Sequence, residues 1–324
     1  MTKPQTTVVR PKVGLALGGG VARGWAHLGI VRALQRYGFV PDIIAGSSIG
    51  SLVGGAYLAG QLETLEDWAC GLNKVRIISY LDFRMRSGGL IGGRALTDAM
   101  EQHMGGLKIE DLGKPFAAVA ADLLTGHEVW LQRGNLVEAI RTSFSLPGIF
   151  EPMHVNGQWL VDGALVNPVP ISVCRAMGAQ MTIGVNLNAD LIGKARRPGS
   201  DFQSVAGFDL LEALEEGAPT ASGSRLSGVA RRLFKRQAKK PSIFGVLVST
   251  LNIALDRITR SRLAGEPPDV HITPRLGHIG LLEFDRAKEM IAEGEAAVER
   301  ALPDLRDALA LFQHKMAGPV ANGQ

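Results

Sequence analysis

Cysteine is nearly absent: Cys70 and Cys174 are the only two in 324 residues, too few for a disulfide scaffold or a multi-thiolate metal site. That count suits a reducing compartment, and the cytosol is the expected location. Charge of one sign is also short, since 35 Lys and Arg face 31 Asp and Glu for a net of +4, so nothing points to a nucleic-acid partner. Long apolar runs are missing as well. Lys3, Arg10 and Lys12 precede only the short run Val13 to Leu17 before glycines intervene, which is too brief for a signal-peptide core. The uncharged stretch from Ile43 to Leu62 has the length of a membrane span but contains five glycines and three serines, and it reads better as a buried strand, turn and helix. What is plentiful is small or apolar. With 40 glycines, 46% hydrophobic residues and a mean hydropathy of +0.11, the chain can bury a large core in one globular domain.

The first 190 residues alternate short apolar runs with helical patterns. Val13 to Leu17 predicts a buried strand, residues 24–37 a helix, Asp42 to Ala45 a second strand and residues 49–60 the next helix. Neither strand shows polar alternation, as a parallel sheet covered on both faces requires. Residues 61–110 look helical with a glycine-rich break at 86–93, followed by strands at 115–122 and 127–131 and a helix at 136–143. Asn156-Gly157 between two short apolar runs signals a hairpin, and residues 180–188 form a further strand. From about residue 195 to 242 the composition turns irregular and basic; residues 225–240 hold seven basic residues and no acid. Leu226, Val229 and Leu233 share one helical face there, so the segment reads as a solvated insertion or an interfacial amphipathic helix. A helix over 243–263, a strand at 270–272 and two closing helices at 284–294 and 296–312 complete the reading. The expected organisation is a tail over 1–12, one domain over 13–313 and a tail over 314–324.

Three motifs carry chemistry. Gly46-Ser47-Ser48-Ile49-Gly50 matches G-x-S-x-G between a predicted strand and a predicted helix, the context in which a sharp turn lifts a serine out of a sheet. Gly18-Gly19-Gly20 also follows a strand and opens a helix, and its amides suit a phosphate nest or an oxyanion hole. It lacks the Gly-Lys-Ser/Thr of a P-loop, and Arg23 stands where a dinucleotide fingerprint needs glycine. Arg23 could hold the loop or attract an anionic head group. None of the seven histidines, His27, His103, His127, His154, His271, His278 and His314, stands in a motif that marks it as the base for Ser48. Asp162 in Leu160-Val161-Asp162-Gly163-Ala164 does end a predicted strand, and it is either a direct partner of Ser48 or a turn residue.

The segments GLALGGGVARGWAHLGIVRAL, GSSIG and LVDGALVNPVP, in that order, with Thr142 to Pro152 between the last two, resemble the bacterial branch of the patatin-like phospholipase family. The resemblance covers residues 13–190 strongly and 243–300 more loosely. It implies a three-layer α/β fold with a mostly parallel sheet and a serine acyl hydrolase that uses a Ser48–Asp162 dyad. Gly18, Gly19 and Gly20 would form the oxyanion loop with Arg23 inside it, and no cofactor or metal would be needed. Val21 stands where many relatives carry a fourth glycine, and Ser47 where threonine is common. The implied substrate is a phospholipid or lysophospholipid ester, with transient peripheral contact at the inner membrane face through residues 225–240. Two rivals stand beside it: a regulator that binds lipid or protein without turnover, and a Ser-Asp-His triad using His271 or His278.

Overall fold

The computed structural model describes residues 10–73, 89–91, 94–190 and 243–316. The expected basic insertion at 195–242 therefore lies outside the described residues. Strands β1 (Val13–Leu17), β2 (Ile43–Ser47), β4 (Phe116–Asp122), β9 (Met181–Val185) and β10 (Val270–Ile272) pair in parallel in the order β10-β9-β1-β2-β4. Every residue of β1, β2, β4 and β9 is buried, which explains why these strands lack polar alternation. Beyond β4 the sheet turns antiparallel, with β5 (Glu128–Leu131), β8 (Gln158–Asp162) and β7 (Met153–Val155). The result is a mixed central sheet whose parallel part carries most of the core.

Alternate strand residues face two helical layers. Leu15, Leu17, Ile44, Phe116, Ala118 and Ile183 join the larger core, beneath helices α1 (Ala26–Arg36), α2 (Ile49–Leu58), α5 (Leu136–Ser143) and α8 (Ala287–Met316). Ala16, Ile43, Ala45, Ala117 and Val119 face the other way, against Ile171, Val173 and Cys174 of α6 (Ile171–Ala176). Helices α3 (Leu62–Cys70), α4 (Arg94–Met104) and α7 (Ile243–Gly265) flank these layers.

The structure differs from the sequence reading in four places. The helix expected from residue 24 opens as a 3₁₀ turn, Val21–Trp25, before α1. The six-residue α6 follows Pro170 and is too short to show a helical period. Inside the glycine-rich break, β3 (Gly89–Ile91) pairs in parallel with β6 (Gly148–Phe150) as a separate two-stranded sheet. The two closing helices are one, α8, running through Gly294.

Candidate active site

The ladder of β4 brings the site together. On one edge, Val119 and Ala120 pair with Trp130 and Val129 of β5. On the opposite edge Val119 pairs with Ser47 of β2, and the next residue, Ala120, pairs with Asp162 of β8. Strand β2 thus ends where β8 begins along one edge of β4, and Ser48 leaves the sheet beside Asp162. Ser48 takes φ 56° and ψ −128°, a region that is costly for a residue with a side chain and typical of a nucleophile elbow. Its Oγ donates a hydrogen bond of 2.6 Å to Asp162 Oδ2, and the other carboxylate oxygen accepts the Ala164 amide at 2.8 Å. Asp162 is fully buried. Desolvation pushes its carboxyl up to about 7, against the opposing pull of the Ser48 hydroxyl and the Ala164 amide.

The elbow is held from below by Ser143 at the end of α5. Its hydroxyl donates to Val119 O at 2.6 Å and accepts the Ser48 amide at 3.0 Å, filling the gap left in the ladder where β2 gives way to β8. Ser47 Oγ donates to Asn167 O at 2.6 Å. Helix α2 starts directly after Ser48, so its unpaired first-turn amides lie at the serine.

The glycine loop lies against the elbow: a methyl group on Gly19 would stand 3.4 Å from Ser48 Cβ and 2.9 Å from Ala164 Cβ. The amides of Gly18 and Gly19 donate to Val185 O and Pro168 O at 3.1 and 3.0 Å. Among the described residues, the amides of Gly20 and Val21 have no backbone acceptor, being at the start of the 3₁₀ turn. Two buried side chains set the loop's carbonyls. His27 Nε2 donates to Gly18 O at 2.7 Å, and Asn188 Nδ2 donates to Gly19 O at 3.1 Å. Because the N–H of a trans peptide points opposite to its carbonyl, the grip of Asn188 on Gly19 O aims the Gly20 amide the other way. Burial lowers His27 to about 4, despite the bond to Gly18, so it stays neutral at physiological pH. Val21 has φ 51°, a left-handed conformation that accounts for a glycine being at home at this position.

Arg23 is fully buried, with Nε and Nη2 on Ile279 O at 2.9 and 2.6 Å. This geometry ties the loop to the segment before α8. His278 instead meets Glu289 at 2.7 Å, His271 projects from β10, and neither is hydrogen-bonded to Ser48 or Asp162. Sequence reasoning passed over His27, Ser143 and Asn188; each does its work through a carbonyl or amide whose need for a partner is created by the fold. Among the described residues there is no group of three or more His, Cys, Asp or Glu that could hold a metal ion, and no helix is long and apolar enough to cross a membrane.

Comparison with known proteins agrees with this geometry. The family profile described as Patatin-like phospholipase matches residues 15–175. An uncharacterized NTE family protein of Mycobacterium tuberculosis is 35% identical over 90% of this chain and 91% of its own length. A second one from that organism is 29% identical over 90% of this chain and 47% of its own length. Lysophospholipase NTE1 of Pyricularia oryzae is 27% identical over 92% of this chain and 19% of its own length. With its serine elbow bonded to a buried aspartate on a mixed α/β sheet, and with an NTE family relative alike over nearly its whole length, the chain belongs to the patatin-like phospholipase family and is a hydrolase of its NTE branch.

Proposed function

We propose that this hydrolase cleaves the carboxylic ester of a phospholipid or lysophospholipid, with Ser48 as nucleophile and Asp162 as its direct base. The observation that carries the reading is the 2.6 Å hydrogen bond from Ser48 Oγ to Asp162 in a fully buried setting. An ordinary aspartate near 4 is a weak base, whereas a carboxyl raised to about 7 accepts the serine proton as the oxygen attacks the acyl carbonyl. The amides of Gly20 and Val21, next to Gly18 and Gly19, then face the developing oxyanion, and the helix dipole of α2 supports the same charge. Collapse of the tetrahedral intermediate expels the alcohol with that proton. Water, activated by the same aspartate, releases the fatty acid from the acyl-enzyme. The name of the Pyricularia relative, a lysophospholipase, supports the choice of lipid. Peripheral contact with an anionic membrane through residues 225–240 belongs to the same proposal.

The test is Ser48→Ala. The purified variant should fold normally, lose labelling by a fluorophosphonate probe and lose turnover of lysophospholipid esters by a factor of about 1,000 or more. Undiminished turnover would remove Ser48 from the mechanism.

A further inference from the structure

Arg141 lies in α5, two residues before Ser143 and four before Ser145, and is only 4% exposed. Its guanidinium sits 5.2 Å from the ring centroid of Phe144 and 5.1 Å from that of Phe150. Nη1 donates to Ser145 Oγ at 2.9 Å. Ser145 in turn accepts the Asp162 amide on its carbonyl oxygen at 3.0 Å, so this cation is wired to the backbone of the catalytic aspartate. Among the described residues no carboxylate forms an ion pair with it, and Glu151 acts on it only through space. Among the described residues, Nε and Nη2 have no acceptor, and neither nitrogen is sealed from solvent. The edge of the guanidinium turned away from Ser145 is therefore unpaired among the described residues and keeps a small exposed surface. Arg23 is the opposite case, with its spare Nη1 fully enclosed.

A desolvated cation with no ion-pair partner among the described residues and only the distant charge of Glu151 to offset it is costly to maintain, and the aromatic faces recover only part of that cost. The planar fork of a guanidinium matches two oxygens of a phosphate. We propose that the open edge of Arg141 is a phosphate subsite of the hydrolase, holding the headgroup phosphate of a phospholipid while the ester bond lies at Ser48. This assignment rests on the lipid-ester reading above and narrows it to phosphate-bearing lipids. Burial lowers the Arg141 guanidinium to about 10, so it remains a cation at neutral pH and can serve in this way. Phe144 and Phe150 hold it in place, and Ser145 fixes its position relative to Asp162.

The experiment compares wild type, Arg141→Gln and Arg141→Lys on a lysophosphatidylcholine and on a monoacylglycerol with the same acyl chain. The ratio of kcat/KM between the two substrates should fall about tenfold or more in Arg141→Gln, through KM, as expected for loss of a charge-assisted bond. Arg141→Lys should keep part of the preference. Glycerophosphate should inhibit monoacylglycerol hydrolysis by wild type and do so about tenfold more weakly in Arg141→Gln. Equal loss on both substrates, or an unchanged ratio, overturns the proposal and leaves Arg141 as a packing element. Inhibition by inorganic phosphate with unaltered lipid selectivity also overturns it, in favour of a free-phosphate site. If neither lipid is hydrolysed, the lipid-ester reading itself has failed. Calorimetric binding of glycerophosphate then decides for Arg141: affinity about tenfold weaker in the variant supports the subsite, and equal affinity removes it. Should Arg141→Gln not fold, the Arg141→Lys values are read in its place.

Discussion

Ser143 satisfies two buried backbone groups with one hydroxyl, the Val119 carbonyl and the Ser48 amide. Ser143→Ala leaves both without a partner, which costs about 1–3 kcal/mol, and releases the strained backbone of Ser48. The expected result is a fall in kcat of about tenfold or more at nearly constant KM, since the Ser143 hydroxyl is spent on the backbone that holds the proposed nucleophile; a wild-type kcat would assign it to stability alone. Asp162 makes a sharper prediction through pH. Its carboxyl is raised from 3.8 to about 7 by burial, so kcat/KM should climb with pH through about 7 as the base loses its proton. The folded protein binds this proton more tightly than the unfolded chain. The associated stability is therefore complete below about pH 4 and is lost as pH rises through about 7. Asp162→Asn, which removes the ionisation, should be inactive yet gain stability over wild type in denaturant titrations at about pH 8, by at most about 4 kcal/mol. That advantage should vanish near pH 4, and an advantage that persists there would contradict the assignment of the shift to burial.

At the scale of elements, the crossing of α1 and α8 depends on two glycines at closest approach. A Cβ on Gly29 would stand 2.0 Å from Ile291 O, and one on Gly294 2.1 Å from Ala26 O. In an open helix, alanine in place of glycine gains about 1 kcal/mol. Here the backbones must separate first, so Gly29→Ala should destabilise by about 1–3 kcal/mol, read as a lower midpoint in urea unfolding with kcat retained. A stabilised variant would show that the helices have room to spare. The same contact explains why α8 is continuous: Gly294 resembles a helix break when viewed in sequence, but its missing side chain is what lets the helix lie against α1. The strand and elbow at residues 43–50 were legible because a turn between a strand and a helix is decided by near neighbours. Helix α6 was not legible, since six residues carry too little periodicity and packing on the sheet supplies what propensity does not.

For the whole molecule, the proposed membrane contact makes the remaining prediction. Residues 225–240 hold seven basic residues and no acid, and near an anionic surface each contributes about 1 kcal/mol. Replacing Arg231, Arg232, Lys235 and Arg236 with glutamine should reduce sedimentation with phosphatidylglycerol vesicles, most strongly at low salt, while turnover of a soluble short-chain ester stays near wild type. Equal vesicle binding would return the segment to the role of a solvated insertion. By itself, the sequence determined the alternation of buried strands and helices, the elbow at Ser48, the glycine loop and the Asn156-Gly157 hairpin, because each depends on residues close together along the chain. Asp162 was legible through the resemblance to a family, since an aspartate at a strand end has no local mark of its role. The tertiary structure decided the rest. Ser48 and Asp162 are 114 residues apart, and they meet because β2 and β8 share one edge of β4. Likewise, which loop amides are left without acceptors is settled by Val185, Pro168, His27 and Asn188. Hydrogen-bond partners for buried backbone groups are assigned only when distant segments have packed, so that part of the site belongs to the fold.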